Sequence, residues 1–386
     1  MKIIAAIDSF KGSLSSTEAG FAVKEGILRA MPDAEVCVRP LADGGEGTVE
    51  ALIPGMGGHP ERIRVTGPAG NPVYCIYGIV TDHKPHKTAI IEMSAAAGIT
   101  LVAPCDRNPL TATTYGVGEI IRDAIGKGCR RFIIGIGGSA TNDGGIGMLQ
   151  ALGFGMLNET GTQVPLGAQG LKSLCAITCE NVLPELKECS FRVACDVTNP
   201  LCGPQGCSAV FGPQKGASPD MVQQMDTWLS GYAALTAEKF GISAASKPGA
   251  GAAGGLGFAL LSYLNASLEP GVKIVLEETG LETIIKDADL VVTGEGRLDG
   301  QTVFGKAPVG VAALAKKYDK PVIAFCGCAA KDAVLCNAHG IDAFFPILRN
   351  IQTPEDAMEP KNASENLSDT AEQVFCLINA FHAKNW

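Results

Sequence analysis

Positive charge is in short supply in this chain. Lys and Arg number 31 against 40 Asp and Glu, a formal charge of −9, which leaves no diffuse field to hold a nucleic-acid backbone. DNA and RNA are therefore not expected partners. Histidine is scarcer still, with five in 386 residues, and no two CxxC pairs stand at zinc spacing. The 14 cysteines, of which Cys175 and Cys179, Cys202 and Cys207, and Cys326 and Cys328 come nearest to pairs, read as buried or tolerated thiols. No apolar run approaches the ~18 residues of a membrane span, and the run in MKIIAAIDSF stops at Asp8, short of a signal-peptide core. Reduced thiols without a targeting signal give the expectation of a cytoplasmic protein with no membrane partner. Long Pro/Ser linkers, heptads and internal repeats are missing too. So is a GxSxG elbow, which leaves acyl transfer without a constellation.

What is present is a core and an excess of glycine. The chain is 46% hydrophobic and 18% charged, the balance of a compact fold, and its length suggests two domains. Glycine reaches 48 of 386 residues, well above the roughly 7% that is usual. These glycines gather in short loops that run into apolar stretches, as ligand loops do.

The opening KIIAAID predicts a strand and SLSSTEAGFAVKEGILRAM a capped helix, and EVCVRPLAD then leads into the turn DGGEGT. From about His59 the runs ERIRVTGPAGNPVYCIYGIV and KTAIIEMSAA alternate without room for helices, which predicts antiparallel or mixed strands. GVGEIIRDAIGKG reads as a helix, RFIIGIGG as a buried strand and IGMLQALG as the helix after its loop. ADLVVTGEG, KPVIAFCG and GIDAFFPIL are three further strands, the first two joined by the helix PVGVAALAKKY. Both ends thus read as parallel α/β and the middle as mixed, the pattern of one domain inserted in another. NIQTPEDAMEPKNASENLS is the least ordered stretch, before a final helix AEQVFCLINAFH.

The loop GIGGSATNDGG lies between a strand and a helix. Amides at Gly137 and Gly138, the hydroxyls of Ser139 and Thr141, and the neighbouring Asn142 and Asp143 suit phosphate oxygens at a helix start, against the plain reading of a tight turn. In PGAGAAGGLG, Gly249, Gly251 and Gly254 spell GxGxxG. The preceding FGISAASK is a poor strand and no acidic residue follows at the right distance, so a phosphate-side helix start suits this loop better than dinucleotide binding. Gly300, Gly305 and Lys306 imitate GxxxxGK, but Ala307 replaces the magnesium-binding hydroxyl, which leaves Lys306 at most a point charge for phosphate.

ACDVTNPLCG puts Asp196 and Asn199 at the end of the strand FRVACD, and FGPQKGAS brings Lys215 in a glycine-flanked loop. A strand-end carboxylate, an amide and a lysine suit a metal-bridged phosphate and a hydroxyl nucleophile; the alternative is a solvated Asx turn. Asp8, Ser9 and Lys11 after the first strand, and Asp43, Glu46 and Thr48 after the second, suit a small polar substrate or, equally, helix capping.

In order along the chain, DSFKGSLS, DGGEGT, EMSAAAG, PLTATTYGVGE, IGGSATNDGG, ACDVTNPL, FGPQKGAS, GAGAAGG and TGEGRLDGQT give a sequence that resembles the class I glycerate kinases of bacteria over essentially its whole length. Tyr115 and Val117 depart from the Ser and Thr often found there in that family. The resemblance implies ATP-dependent phosphorylation of D-glycerate, with Mg²⁺, to 2-phosphoglycerate; 3-phosphoglycerate is the alternative product. It implies an α/β fold of two domains with the active site in the cleft between them: a discontinuous Rossmann-like parallel domain, residues 1–65 and 285–386, and an inserted mixed α/β domain, residues 66–284. On this footing the ATP phosphates lie against the Gly137–Asp143 and Gly249–Gly255 loops. Asp196 accepts the glycerate hydroxyl proton, Lys215 stabilises the transferring phosphoryl, Asp143 or Asn199 helps hold the metal, and Lys11 with Arg297 grips the carboxylate, beside Asp8, Ser9 and Asp43. Two other classes compete with this reading, an NAD-dependent oxidoreductase of a small hydroxy acid and a non-catalytic sugar or phosphate sensor. The oligomeric state is not legible.

Overall fold

The structure, a computed structural model, describes the chain apart from residues 43, 46, 82–85 and 383–386 and the side chains of Pro54 and His382. The chain forms two compact units. One gathers Met1–Asp43, Glu50–Met56 and Val272–Trp386, the other Gly44–Val49 and Gly57–Gly271. In chain order the strands are β1 (Lys2–Ile7), β2 (Glu35–Pro40), β3 (His59–Thr66), β4 (Pro72–Val80), β5 (Lys87–Glu92), β6 (Cys129–Gly135), β7 (Gly155–Leu157), β8 (Ala176–Thr178), β9 (Ser190–Ala194), β10 (Ser267–Glu269), β11 (Leu290–Leu298), β12 (Val322–Ala329) and β13 (Ala343–Pro346).

The first unit is built on a five-stranded, fully parallel sheet in the order β13-β12-β11-β1-β2. The chain steps from β1 out to β2, then returns to β11 on the other side of β1, so the winding direction reverses between β1 and β11. That is the flavodoxin-like variant of the doubly wound sheet, a refinement of the Rossmann-like layout expected. Because β–α–β crossovers are right-handed, reversing the direction puts the helices on both faces. Helix Ser16–Ala30 begins with a capping box between Ser15 and Glu18 and buries Ala19, Ala22, Val23 and Ile27. It shares one core with Ile3, Ala5, Ile7, Val292 and Phe325 of the sheet and Leu367 and Phe375 of the helix Pro360–His382.

That last helix corrects an expectation. Residues 350–368, read as the least ordered stretch, instead hold the helix Pro354–Met358, capped by Thr353, and the start of Pro360–His382. Most of its polar residues are at least partly exposed, while Ala363, Leu367, Ala371 and Phe375, spaced every fourth position, are buried. A sparse apolar stripe is enough when a neighbouring helix covers it.

The second unit carries a six-stranded mixed sheet, β10-β9-β6-β5-β4-β3, and a small β7–β8 ribbon. β10, β9, β6 and β5 run parallel, whereas β4 and β3 are antiparallel additions. The expected boundaries at 65/66 and 284/285 shift. Strand β3 pairs along its length with β4 and so belongs to the mixed unit, and the segment from Val272 onward belongs to the parallel one. Phe132 and Phe191 stack at 4.7 Å across β6 and β9. The parallel strands end at Glu92, Gly135, Ala194 and Glu269, which sets the loops after β5, β6, β9 and β10 along one edge. Helix Pro219–Phe240, capped by Ser218, was not anticipated. Among the described residues no helix is long and apolar enough to cross a membrane.

Candidate active site

The four motifs of the mixed unit fold into one cluster at that edge. After β6 the chain enters the loop of residues 136–145, which is pinned to the β9 end by Ile136 N donating to Ala194 O at 3.3 Å and to the segment after β5 by Ala140 N donating to Ala97 O at 2.9 Å. Gly137 and Gly138 lie exposed, and Gly138 takes φ +70°, which favours glycine. Among the described residues no hydrogen bond engages the amides of Gly137, Gly138 and Ser139. Three consecutive amides of this kind are an anion cradle.

Below them the loop is solid. Thr141, Asn142 and Asp143 are fully buried. Asp143 Oδ2 accepts from Thr114 N and Oγ1 at 2.9 Å and from Gly147 N at 3.4 Å, and Oδ1 accepts from Gly145 N at 3.1 Å. Burial pushes this carboxyl above its ordinary range, and the hydrogen bonds oppose that. A carboxylate enclosed by donors of Thr114, Gly145 and Gly147 ties the loop to the Thr114 segment and organises it, a role other than the metal ligand expected at Asp143. Asn142 Nδ2 donates to Ser208 Oγ at 2.8 Å. Its Oδ1 and Thr141 Oγ1 are buried with no partner among the described residues.

Lys215 enters the cluster from the short turn Pro213–Lys215. It is 2% exposed, and its Nζ donates to Ser139 Oγ and to Thr141 O, both at 2.7 Å. Burial lowers its pKa to about 8, opposed by the charge fields of Cys207 and Asp143. A desolvated ammonium without a carboxylate within ion-pair distance among the described residues favours an arriving anion.

Gly249, Gly251 and Gly254 belong to the same cluster but are buried. A Cβ at Gly251 would lie 2.2 Å from Pro200 O, and one at Gly254 2.1 Å from Thr141 O. Gly254 O also accepts from Gly144 N at 2.9 Å. Gly254 lets the second loop buttress the first, and Gly251 lets it pack against the loop after β9. The backbone of Ala253, Gly254 and Gly255 is left-handed throughout, and Ala253 at φ 51° is strained for a residue with a Cβ. No strand precedes Gly249 between the helix Pro219–Phe240 and this loop, so the dinucleotide fingerprint lacks its context.

Asp196 is exposed just beyond β9, and its Oδ1 accepts from Gly271 N at 3.0 Å. Asn199 Nδ2 donates to Gln205 O at 2.9 Å, and its carbonyl accepts from Gly251 N at 2.9 Å. Asn199 is thereby tied into the buttress. No group of three or more His, Cys, Asp or Glu suited to a metal occurs among the described residues. A Mg²⁺ carried by phosphates keeps several of its waters and needs few protein ligands, so it does not require such a group.

The expected substrate residues Asp8, Ser9, Lys11 and Arg297 come together in the parallel unit, lining a cavity of about 480 Å³. Asp43, and with it Glu46, lies outside the described residues. Asp8 is 4% exposed, and its Oδ1 accepts from Ser9 N at 2.7 Å. Sequence reasoning missed Glu295, a buried carboxylate lining the same cavity. It accepts from Thr302 Oγ1 at 2.6 Å and pairs with Lys306 at 3.5 Å, and burial pushes its pKa up. Arg297 pairs with Asp299 at 3.4 Å. The signal for Glu295 was its place late in the strand β11, within TGEGRLDGQT. All 14 cysteines are free thiols.

Taken together, a doubly wound parallel unit with a charged strand-end cavity and a mixed unit with an amide-and-lysine anion cradle define an α/β protein equipped for small anionic ligands. Residues 3–379 match the model of the glycerate kinase family. A glycerate kinase of Bacillus subtilis (strain 168) is 48% identical over 98% of each chain, and a glycerate 2-kinase of Escherichia coli (strain K12) is 46% identical over 97% of each. A crystal structure from Salmonella typhimurium LT2 assigned as glycerate kinase 2 superposes with a TM-score of 0.89 at 46% identity, covering 99% of both chains. The chain belongs to the glycerate kinase family.

Proposed function

We propose that the protein transfers the γ-phosphoryl group of ATP to D-glycerate, giving 2-phosphoglycerate and ADP. The observation that carries this is Lys215, a buried ammonium held at 2.7 Å from Ser139 Oγ beneath the exposed Gly137–Gly138 amides. Phosphoryl transfer depends on positioning and charge neutralisation, and this cluster supplies both. The bond formed joins the glycerate 2-oxygen to the γ-phosphorus, and the bond broken joins that phosphorus to the β–γ bridging oxygen, which leaves with ADP. Asp196 takes the hydroxyl proton, and its link to Gly271 N fixes the carboxylate's direction. When bound with the nucleotide, Mg²⁺ would neutralise phosphate charge. The name glycerate 2-kinase, carried by the Escherichia coli relative, supports the 2-position. The test is phosphorus NMR of the purified protein with ATP, Mg²⁺ and D-glycerate. A 2-phosphate ester signal is expected; a 3-phosphate signal overturns the regiochemistry, and the absence of any ester overturns the function.

A further inference from the structure

The cavity of the parallel unit is too large and too apolar for glycerate alone. Its volume of about 480 Å³ falls within the roughly 300–1,000 Å³ of pockets that enclose drug-sized ligands. Lys11, Arg297 and Lys306 line it, but so do Phe10, Ile347, Leu348, Pro354 and Met358. Leu348 and Met358 are 46% and 45% exposed, apolar area for which a small, wholly polar acid has no complement. The position is equally telling. Asp8 follows β1, Glu295 to Arg297 lie in the last part of β11, and Gly327 and Cys328 lie at the end of β12. This is the carboxyl side of the sheet beside the β1/β11 reversal, where open doubly wound sheets bind nucleotides.

Two polar atoms of lining residues bear on the ligand's chemistry. Ser13 Oγ and Gln352 Oε1 belong to residues lining the cavity, and both are buried with no hydrogen-bond partner among the described residues. Buried polar atoms left in this state point to a missing partner. A carboxamide pairs with adenine by accepting from the exocyclic amine and donating to the adjoining ring nitrogen.

We infer that this cavity holds the adenine nucleoside of ATP, with Gln352 reading the base. The inference rests on the kinase reading above. It places the nucleoside, rather than glycerate, beside Lys11 and Arg297, which line the same cavity.

The test is calorimetric binding to the full chain of a non-hydrolysable ATP analogue, its inosine counterpart and D-glycerate, each titrated separately. Gln352→Leu is expected to weaken the ATP analogue about tenfold and to erase its preference over the inosine analogue, with glycerate affinity unchanged. Ala357→Trp, a plug at a partly exposed lining position, is expected to abolish nucleotide binding while a circular-dichroism melt stays near wild type. Loss of glycerate binding with nucleotide affinity intact would make the cavity the acid's site and overturn the inference. Unchanged binding of all three ligands in both variants overturns it as well. A wild-type protein that binds the ATP analogue but phosphorylates nothing sinks the kinase reading and leaves this test decisive on its own terms.

Discussion

Lys215 Nζ lies 2.7 Å from Ser139 Oγ across 76 positions of sequence, and this contact joins the FGPQKGAS turn to the glycine loop. The cation is poised rather than neutralised. Its two acceptors among the described residues are the Ser139 hydroxyl and the carbonyl of Thr141, so phosphate oxygens would be the first anions to meet it.

The pH dependence follows from that burial. With a pKa of about 8, the ammonium loses its proton as pH rises through that value, and kcat/KM, which follows the free enzyme, is expected to fall there. Lys215→Arg should carry the fall to higher pH, and Lys215→Met should lower turnover about a thousandfold. Stability runs the other way. The folded pKa lies below the ordinary 10.5, so between about 8 and 10.5 the unfolded chain binds more protons and this residue's contribution to stability increases with pH. Steady-state profiles and denaturant titrations across this range check both. A wild-type profile without an alkaline fall would remove Lys215 as the required cation.

Asp143 separates a loop-organising role from a metal role. Asp143→Asn places an amide donor against N–H and O–H donors of Thr114, Gly145 and Gly147, and unmatched buried groups cost about 1–3 kcal/mol each. The denaturation midpoint is expected to drop markedly, while the Mg²⁺ concentration for half-maximal activity in the residual enzyme stays at the wild-type value. A shifted Mg²⁺ requirement with unchanged stability would restore the metal assignment.

Gly254 and Gly203 share the left-handed conformation, φ +64° and +91°, but differ in surroundings. A Cβ at Gly203 meets nothing within 4 Å, whereas one at Gly254 meets Thr141 O at 2.1 Å. Gly203→Ala should cost about 1–2 kcal/mol for backbone strain alone, with activity preserved. Gly254→Ala is expected to exceed that by several kcal/mol and to lose activity, because it forces the second loop off the first. Urea titrations of the two proteins make the comparison. Equal losses would show that the loop contact carries no energy.

Which of these features the sequence announces has a physical pattern. Strands such as β6 and β11 are legible because strands buried on both faces are continuous apolar runs. The helix Pro360–His382 starts earlier than its sequence suggests, since Ala363 and Leu367 are its first buried marks among polar residues. Glycine loops are conspicuous, yet the need for Gly251 comes from Pro200 O and that for Gly254 from Thr141 O, partners distant in the chain. Lys215 stood out by its glycine flanks. Gln352 and Met358 carry no local mark, because their chemistry arises only when the tail folds over the ends of the first unit's strands.

Asp196 provides the sharpest test of the transfer step. Its Oδ1 accepts from Gly271 N at 3.0 Å, and an asparagine keeps that acceptor while losing the ability to take up a proton. Asp196→Asn is therefore expected to fold with a wild-type melting temperature, to bind the ATP analogue as before, and to turn over about a thousandfold more slowly. Asp196→Ala removes the tether as well and should show the same rate loss with a lower melting temperature. The rate of ADP release measures the first effect and a thermal melt the second. Near wild-type turnover by the asparagine variant would take the proton-accepting role away from Asp196, leaving its carboxylate as a positioning group for the Gly271 turn.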